Sequence, residues 1–353
     1  MACVLIVIPG FAKDENDSLC LPAMQQFILS AQRSVPDLQL VILSLQYPFQ
    51  SGWYTWHGIP VMSIAGNNKP GLYRLFTWIK ALYQLRLIRK RYQPVGVLSL
   101  WLHETALVSK WFCRLNRLPH YIWLQGQDVK KSNQYVNRVK ARAEELIAIS
   151  EFTRDEYFRN HGIRPFLVVN NGVNRNIFPA LDQEERAIDI LGVGSLIALK
   201  NYSLFLDIIH ALVPSFPHLK VVIAGEGPEQ TALMEKTREL SIAQHVTFMG
   251  AVPHAEALDL MRRSKLFLHT STFEGNSTVL IEALYSGCRV FSTIALGTAT
   301  VENLHLCSDK DQFVRQLKDC LLDTNTIVKR VEFNNMETSA KIIFGLFTPG
   351  QHS

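Results

Sequence analysis

Short runs of apolar, largely β-branched residues alternate along the chain with stretches whose apolar positions recur every three or four residues. The runs read as buried parallel strands, and the stretches between them as covering helices. In the first half, strands are expected at 3–8 (CVLIVI), 38–45, 95–101, 120–125, 145–150 and 166–171, with helices at 22–34, 71–92, 104–116, 134–143 and 151–161. In the second half, strands are expected at 187–195, 220–225, 245–250, 265–270 and 289–293, with helices at 201–213, 228–240, 254–263, 277–286 and 310–322. This is the rhythm of doubly wound α/β sheets. Between the halves, NRNIFPALDQEER (174–186) carries Pro179, acidic residues and no periodicity, so it reads as a linker. At 353 residues the chain exceeds one ordinary core, and two domains are expected. Ligands of such sheets gather at the carboxyl ends of the strands, so one shared by both domains would lie in the cleft between them.

One segment departs from an even pattern. In KPGLYRLFTWIKALYQLRLIRKRYQP (69–94), Leu72, Leu75, Phe76, Ile79, Leu82, Tyr83 and Leu87 form an apolar stripe at helical spacing, beside many cations. The ordinary reading is a domain helix that buries the stripe and keeps a solvated basic back. The alternatives are an interfacial helix facing anionic lipid, or a basic bay for an anionic acceptor. Charge sharpens the question, because residues 1–170 hold 20 Lys+Arg against 11 Asp+Glu, a net +9, whereas 171–353 carry −4. Nucleic acid is not expected as a partner, since no nucleic-acid motif accompanies the charge.

The six cysteines are scattered without metal spacing, as in a chain of reduced thiols. The opening ACVLIVIPG lacks a basic leader and ends in Pro-Gly, so it reads as a buried strand and turn, and no apolar run is long enough to span a bilayer. A cytoplasmic protein is expected, with peripheral contact at an anionic membrane left open through the basic first domain.

The most specific chemistry lies in FEGNSTVLIEA (273–283), which holds two carboxylates, Glu274 and Glu282. Asn276 or Ser277 is expected to cap a helix in which Thr278 and Glu282 share a face, with Glu274 at its mouth beside the unpaired amides of the first turn. Amides there attract anions, while carboxylates accept hydrogen bonds from hydroxyls. The bland alternative is a capped helix whose inward carboxylate is satisfied by backbone. Two further strand ends suit a phosphate ligand: Gly194 and Ser195 leading to Lys200, and Gly225-Glu226-Gly227.

The ordered series NNGVN-RNIF (170–178), VGSLIALKN (193–201), AGEGPE (224–229), VTFMGAVPHAE (246–256) and FEGNSTVLIEALYSG (273–287) resembles glycosyltransferase family 4. First-half likenesses are weaker: Pro9-Gly10, His103, Gln125-Gly126-Gln127-Asp128 and AISEFTRDEYFRNHG (148–162). The resemblance implies the GT-B fold, two Rossmann-like domains facing each other across a cleft. It implies an acceptor domain at 1–175 and a nucleotide-sugar domain at 176–330, with the tail at 331–348 read either as a helix that crosses back onto the first domain, anchored by Phe344 and Phe347, or as an ordinary terminal helix. It further implies sugar transfer with retention from a nucleoside diphosphate sugar to a saccharide or lipid-linked acceptor, in cell-surface polysaccharide or glycolipid synthesis and with no metal required.

In that reading Glu282 binds ribose hydroxyls, Glu274 faces the donor sugar, and Lys200 neutralises the diphosphate. Gly194, Ser195, Gly225, Gly275, Asn276, Ser277 and Thr278 line the donor, and Gly10 lets a first-domain loop approach the reacting centre. His103, Gln125 and Asp128 fall on the acceptor side. The chain departs from the pattern at Ser195, where relatives carry arginine, at Gln125, where they carry histidine, and in 292–306, which lacks a glycine-rich turn followed by glutamate. A non-catalytic sugar-nucleotide-binding subunit, a GT-B epimerase and a phosphorylase therefore stay open as alternatives.

Overall fold

The computed structural model describes residues 2–181, 186–323 and 328–348, and the chain divides into two compact units. The first comprises Met1–Asn171 with Met336–Ser353, the second Gly172–Asn335. These crossings lie slightly inside the sequence boundaries at 175 and 331, because Val173 pairs with Asn335 as an isolated bridge of the second unit.

The first unit holds β1 (Ala2–Gly10), α1 (Pro22–Ser34), β2 (Leu38–Tyr47), β3 (Gly52–Trp56), β4 (Ile59–Ser63), α2 (Leu72–Tyr92), β5 (Gly96–Leu100), α3 (Glu104–Asn116), β6 (His120–Leu124), α4 (Tyr135–Val139), β7 (Leu146–Ala148), α5 (Glu151–His161) and β8 (Leu167–Val168). Its sheet runs β3-β4-β2-β1-β5-β6-β7-β8, parallel except for the β3–β4 pair. β1 shows why the fold closes from both sides: Val4, Ile6 and Ile8 enter one core with α1, while Cys3, Leu5 and Val7 enter another with α2 and α3. Alternate residues point to opposite faces, so a strand apolar at every position requires two covering layers.

The second unit holds β9 (Ile188–Val193), α6 (Tyr202–Leu212), β10 (Val221–Ala224), α7 (Gln230–Glu239), β11 (Val246–Gly250), α8 (His254–Arg262), β12 (Ser264–His269), α9 (Thr278–Tyr285), β13 (Arg289–Ser292), β14 (Leu304–Leu306) and α10 (Lys310–Leu322). Its sheet, β11-β10-β9-β12-β13-β14, is parallel throughout. Leu266 and Leu268 of β12 meet residues of α6 and α10 on one face, and Phe267 meets α8 and α9 on the other. Chain order reverses between β9 and β12, and the loops after these strands carry the residues that the sequence marked. The terminal helix α11 (Met336–Gly345) belongs to the first unit, where Phe344 and Phe347 are buried against α1 and the sheet.

Four expectations need correcting. The hairpin β3–β4 was not expected; its connection, His57–Gly58, has both residues at positive φ, as tight hairpin turns require. β14 was not expected either. The segment at 174–186 is not a free linker: Ile177 and Phe178 pack on the second core, Phe178 stacks edge-on against Tyr285, and Arg186 donates to the Ser286 carbonyl at 2.7 Å. Residues 182–185 of that segment lie outside the described residues. Finally, α2 buries Thr77, Ala81, Leu85 and Ile88, and most of its apolar stripe faces outward. Small residues at 77 and 81 allow the helix to approach the sheet closely, so this side wins the packing despite being less apolar.

Candidate functional site

In the second unit, backbone contacts bring three strand ends together. After β9, Gly194 donates its amide to Ala224 at 3.0 Å, and Leu196 donates to Glu226 at 2.9 Å. After β10, Gly225 adopts φ +148°, and a Cβ there would lie 1.9 Å from the Gly194 carbonyl oxygen. The two glycine turns thus press backbone on backbone, and only the absence of a side chain permits it. The third end, after β12, is stitched to the same place: Thr272 donates its amide to Leu199 at 2.9 Å, and the Thr270 hydroxyl lies 3.0 Å from the carbonyls of Lys200 and Asn201.

That stitching seats Lys200 against Glu274. The ammonium donates to Glu274 Oε1 at 2.5 Å, with the two side chains only 20% and 16% exposed. His269, at the end of β12, places Nε2 3.5 Å from the same carboxylate oxygen. Its Nδ1 lies 3.1 Å from Ser292 Oγ; because the ionised Glu274 carboxylate can only accept, Nε2 must donate to it, which leaves Nδ1 to accept from the Ser292 hydroxyl. The proton then resides on Nε2, facing Glu274 and Ser271. Burial pushes the Glu274 carboxyl up, but the His269 hydrogen bond and the Lys200 charge outweigh it and hold the pKa at about 2. Burial lowers His269 below its ordinary value against the pull of Glu274, so the ring is neutral at pH 7. Glu274 is therefore a fixed anion and a hydrogen-bond acceptor, with no proton to give.

Glu282 stands apart from this group. One turn and a half into α9, it pairs with His254 at the start of α8, Nε2 to Oε1 at 2.8 Å. Burial lowers the His254 pKa, but the charge and hydrogen bond of Glu282 outweigh it, leaving the group raised above 6.5. A raised pKa adds stability that is complete below the unfolded value of about 6.5, begins to fade above it, and is lost only once pH has risen through the higher folded value. In Glu282→Gln the imidazole should titrate below its ordinary value, since burial then acts alone. Histidine NMR titration checks this, and an unmoved His254 would contradict the pairing.

Ser277 occupies the cap position of α9 but makes no side-chain cap hydrogen bond, contrary to expectation. Its hydroxyl instead lies 3.5 Å from His269 Nε2, so no amide of the first turn is taken by that side chain. Gly275 and Asn276 lie in the loop ahead of it, and Thr278 opens the helix. Ser195 is exposed at the β9 turn. Neither His254 nor His269 was singled out from the sequence, although each sits at an element end, His254 inside the segment 246–256 and His269 four residues before the segment 273–287; a histidine adjoining a candidate carboxylate segment was the available signal for the second.

The expected acceptor-side residues lie close together in the first unit, but their side chains take different parts. His103, just before α3, lines a cavity of about 760 Å³ with Arg74, Lys130, Tyr135 and Arg138. Asp128 does not reach the surface. It is fully buried, and its carboxylate accepts the amides of Leu102 at 2.9 Å, Gln125 at 3.1 Å and Gly126 at 2.8 Å, which makes it the organiser of the loop after β6. Burial raises its pKa against those hydrogen bonds. Gln125 is not among the residues lining the cavity, and its side-chain amide nitrogen is buried without an acceptor. Gly10 closes β1, where an added Cβ would meet Tyr47 Cβ at 3.4 Å and Cys20 Sγ at 3.7 Å, so packing within this unit does not demand glycine.

The second unit is similar to a family of known proteins. Residues 173–330 match the glycosyl transferases group 1 family. The match contains Lys200, Glu274 and Glu282. Among curated relatives, the phosphatidylinositol N-acetylglucosaminyltransferase gpi3 subunit of Schizosaccharomyces pombe is 31% identical over 137 residues, 39% of this chain and 29% of that one. The chain thus spans less than a third of that relative's length. Among solved structures, sucrose-phosphate synthase from Thermosynechococcus elongatus superposes with a TM-score of 0.71 at 13% identity, covering 98% of this chain and 96% of that one. Anabaena HepE in complex with UDP-glucose gives 0.68 at 18% identity, covering 97% and 94%. At these identities the likeness establishes the fold, two Rossmann-like units of parallel sheet as in GT-B glycosyltransferases.

Proposed function

We propose that the protein is a retaining glycosyltransferase that moves a sugar from a nucleoside diphosphate sugar to a lipid-linked or saccharide acceptor, on the cytoplasmic side of a membrane, in cell-surface polysaccharide or glycolipid synthesis. The observation that carries this reading is the Lys200–Glu274 pair at the carboxyl ends of β9 and β12. An ion pair held this far from water is a weak source of stability, but it presents two opposite charges to a ligand that carries phosphates and hydroxyls. The group 1 match over 173–330 supports the donor class. The name of the fission-yeast relative and the UDP-glucose held by HepE favour a lipid acceptor and a uridine donor.

On donor binding, Lys200 turns to the diphosphate, helped by the amides at the start of α9, and Glu274 accepts hydrogen bonds from sugar hydroxyls. Glu282, oriented by His254, takes the ribose hydroxyls. The bond from the anomeric carbon to the diphosphate oxygen breaks, and its electron pair leaves with the oxygen. The acceptor hydroxyl bonds to the anomeric carbon on that same face, and its proton passes to a diphosphate oxygen. Glu274, ionised down to about pH 2, stabilises the positive charge growing on the sugar. Charge on the leaving group is met by an ammonium and amides, an arrangement that needs no metal ion.

A panel of uridine-, guanosine- and adenosine-diphosphate sugars tests this. One donor should bind and be hydrolysed slowly without acceptor, at a rate EDTA does not change. Binding without hydrolysis or transfer would instead identify a non-catalytic sugar-nucleotide subunit, and no binding at all would end the donor-site reading.

A further inference from the structure

We propose that the outward face of α2 docks the protein on an anionic bilayer. Leu72, Leu75, Phe76, Ile79, Tyr83 and Leu87 stand on one side of this helix and are open to solvent, Leu72 by 74%, Phe76 by 68% and Ile79 by 55%. Side chains at this helical spacing form a continuous apolar strip rather than scattered exposures. α3 packs beside α2 and exposes Trp111 and Leu115 as well. No helix of the described residues is long and apolar enough to cross a membrane, so the strip suits a helix lying in the interface.

Charge selects the occupant. From residue 38 to residue 103 the chain has seven Lys and Arg and no Asp or Glu, and six of the seven lie in α2. Lys80, Arg86, Lys90 and Arg91 are exposed beside or beyond the apolar strip. A second copy docked on this face about a two-fold axis would set those cations against one another, whereas anionic headgroups meet them with opposite charge. Aromatic and aliphatic side chains flanked by cations match the layered polarity of a bilayer surface, apolar below and anionic at the headgroups.

Docking would also position the first unit's cavity. Arg74 projects from the inner side of α2 to line it, and a helix is about 10–12 Å across, so the cavity wall would stand roughly that far from the headgroups. A lipid-linked acceptor could reach it without leaving the membrane.

Co-sedimentation of the full chain with vesicles of phosphatidylcholine alone, or of phosphatidylcholine with phosphatidylglycerol, decides the matter. The wild-type chain should bind the anionic vesicles, less at high salt, and bind the neutral ones at least tenfold more weakly. Phe76→Glu/Ile79→Glu should reduce binding to anionic vesicles at least tenfold, with an unchanged melting curve because both side chains are exposed. Lys90→Glu/Arg91→Glu should remove the preference for anionic lipid. The inference is overturned if the wild-type chain binds neither vesicle or both equally, or if the apolar double variant binds as well as wild type. It is also overturned if the face instead holds a dimer that the same substitutions dissociate. Sugar transfer is not measured, so failure here leaves the donor-site reading untouched.

Discussion

Lys200→Met should lower kcat by about 10²–10³-fold, the loss typical of removing one strong charge stabiliser from a transition state. Methionine keeps the aliphatic stem and removes only the ammonium. Because negative charge on the diphosphate grows as the anomeric bond breaks, the interaction strengthens along the reaction and the loss should appear in kcat more than in KM. Glu274 remains ionised at neutral pH without its partner, since its pKa starts at about 2 and the His269 hydrogen bond persists. The carboxylate proposed to face the sugar is thus retained, and the variant isolates the leaving-group effect. Initial rates with the donor found in the panel, beside a melting curve, provide the measurement. A variant that is folded and turns over within threefold of wild type would remove Lys200 from the mechanism.

Gly225→Ala should destabilise the second unit by roughly 3 kcal/mol, a drop of about 6–12 °C in its melting midpoint, and weaken donor binding at least tenfold. Two costs combine. Its φ of +148° is strained for any L side chain, and the new methyl would sit 1.9 Å from the Gly194 carbonyl oxygen, where the obstacle is backbone and cannot rotate away. Relief requires the β9 and β10 turns to separate, which moves Leu196 and the short helical turn that carries Lys200. Gly10→Ala is the matched control, because its nearest new contact is an ordinary 3.4 Å, and it should melt as wild type does. Calorimetry and donor titration on both variants would expose the idea as wrong if Gly225→Ala behaved like the control.

Much of this molecule was legible in the sequence where the information is local. Ten helices and eleven strands were expected at or near their observed places, since period-2 and period-3.6 patterns with glycine, serine and proline punctuation are properties of neighbouring residues. The segment FEGNSTVLIEA was recognisable because two carboxylates in an apolar run demand a partner. The hairpin β3–β4 escaped notice because its strands are five residues each, β3 (GWYTW) shows no apolar–polar alternation in sequence, and His57-Gly58 is a less common signal than Asn-Gly. The segment at 174–186 looked like a linker because its anchors, Ile177, Phe178 and Arg186, show no periodicity and find their partners about a hundred residues away.

The sequence alone established the alternation of strands and helices, the glycine turns and the charged residues Lys200, Glu274 and Glu282, because each depends on bonded neighbours or on residue chemistry. Tertiary structure decided which charges meet. Lys200 and Glu274 pair because β9 and β12 lie side by side, His269 and His254 join as partners from other segments, and Asp128 is consumed by three amides. It also decided which side of α2 is buried. A helix with apolar residues over most of its circumference does not specify its inner face by hydrophobicity, so close packing against the sheet selected the side of Thr77 and Ala81 and left the larger side chains outside.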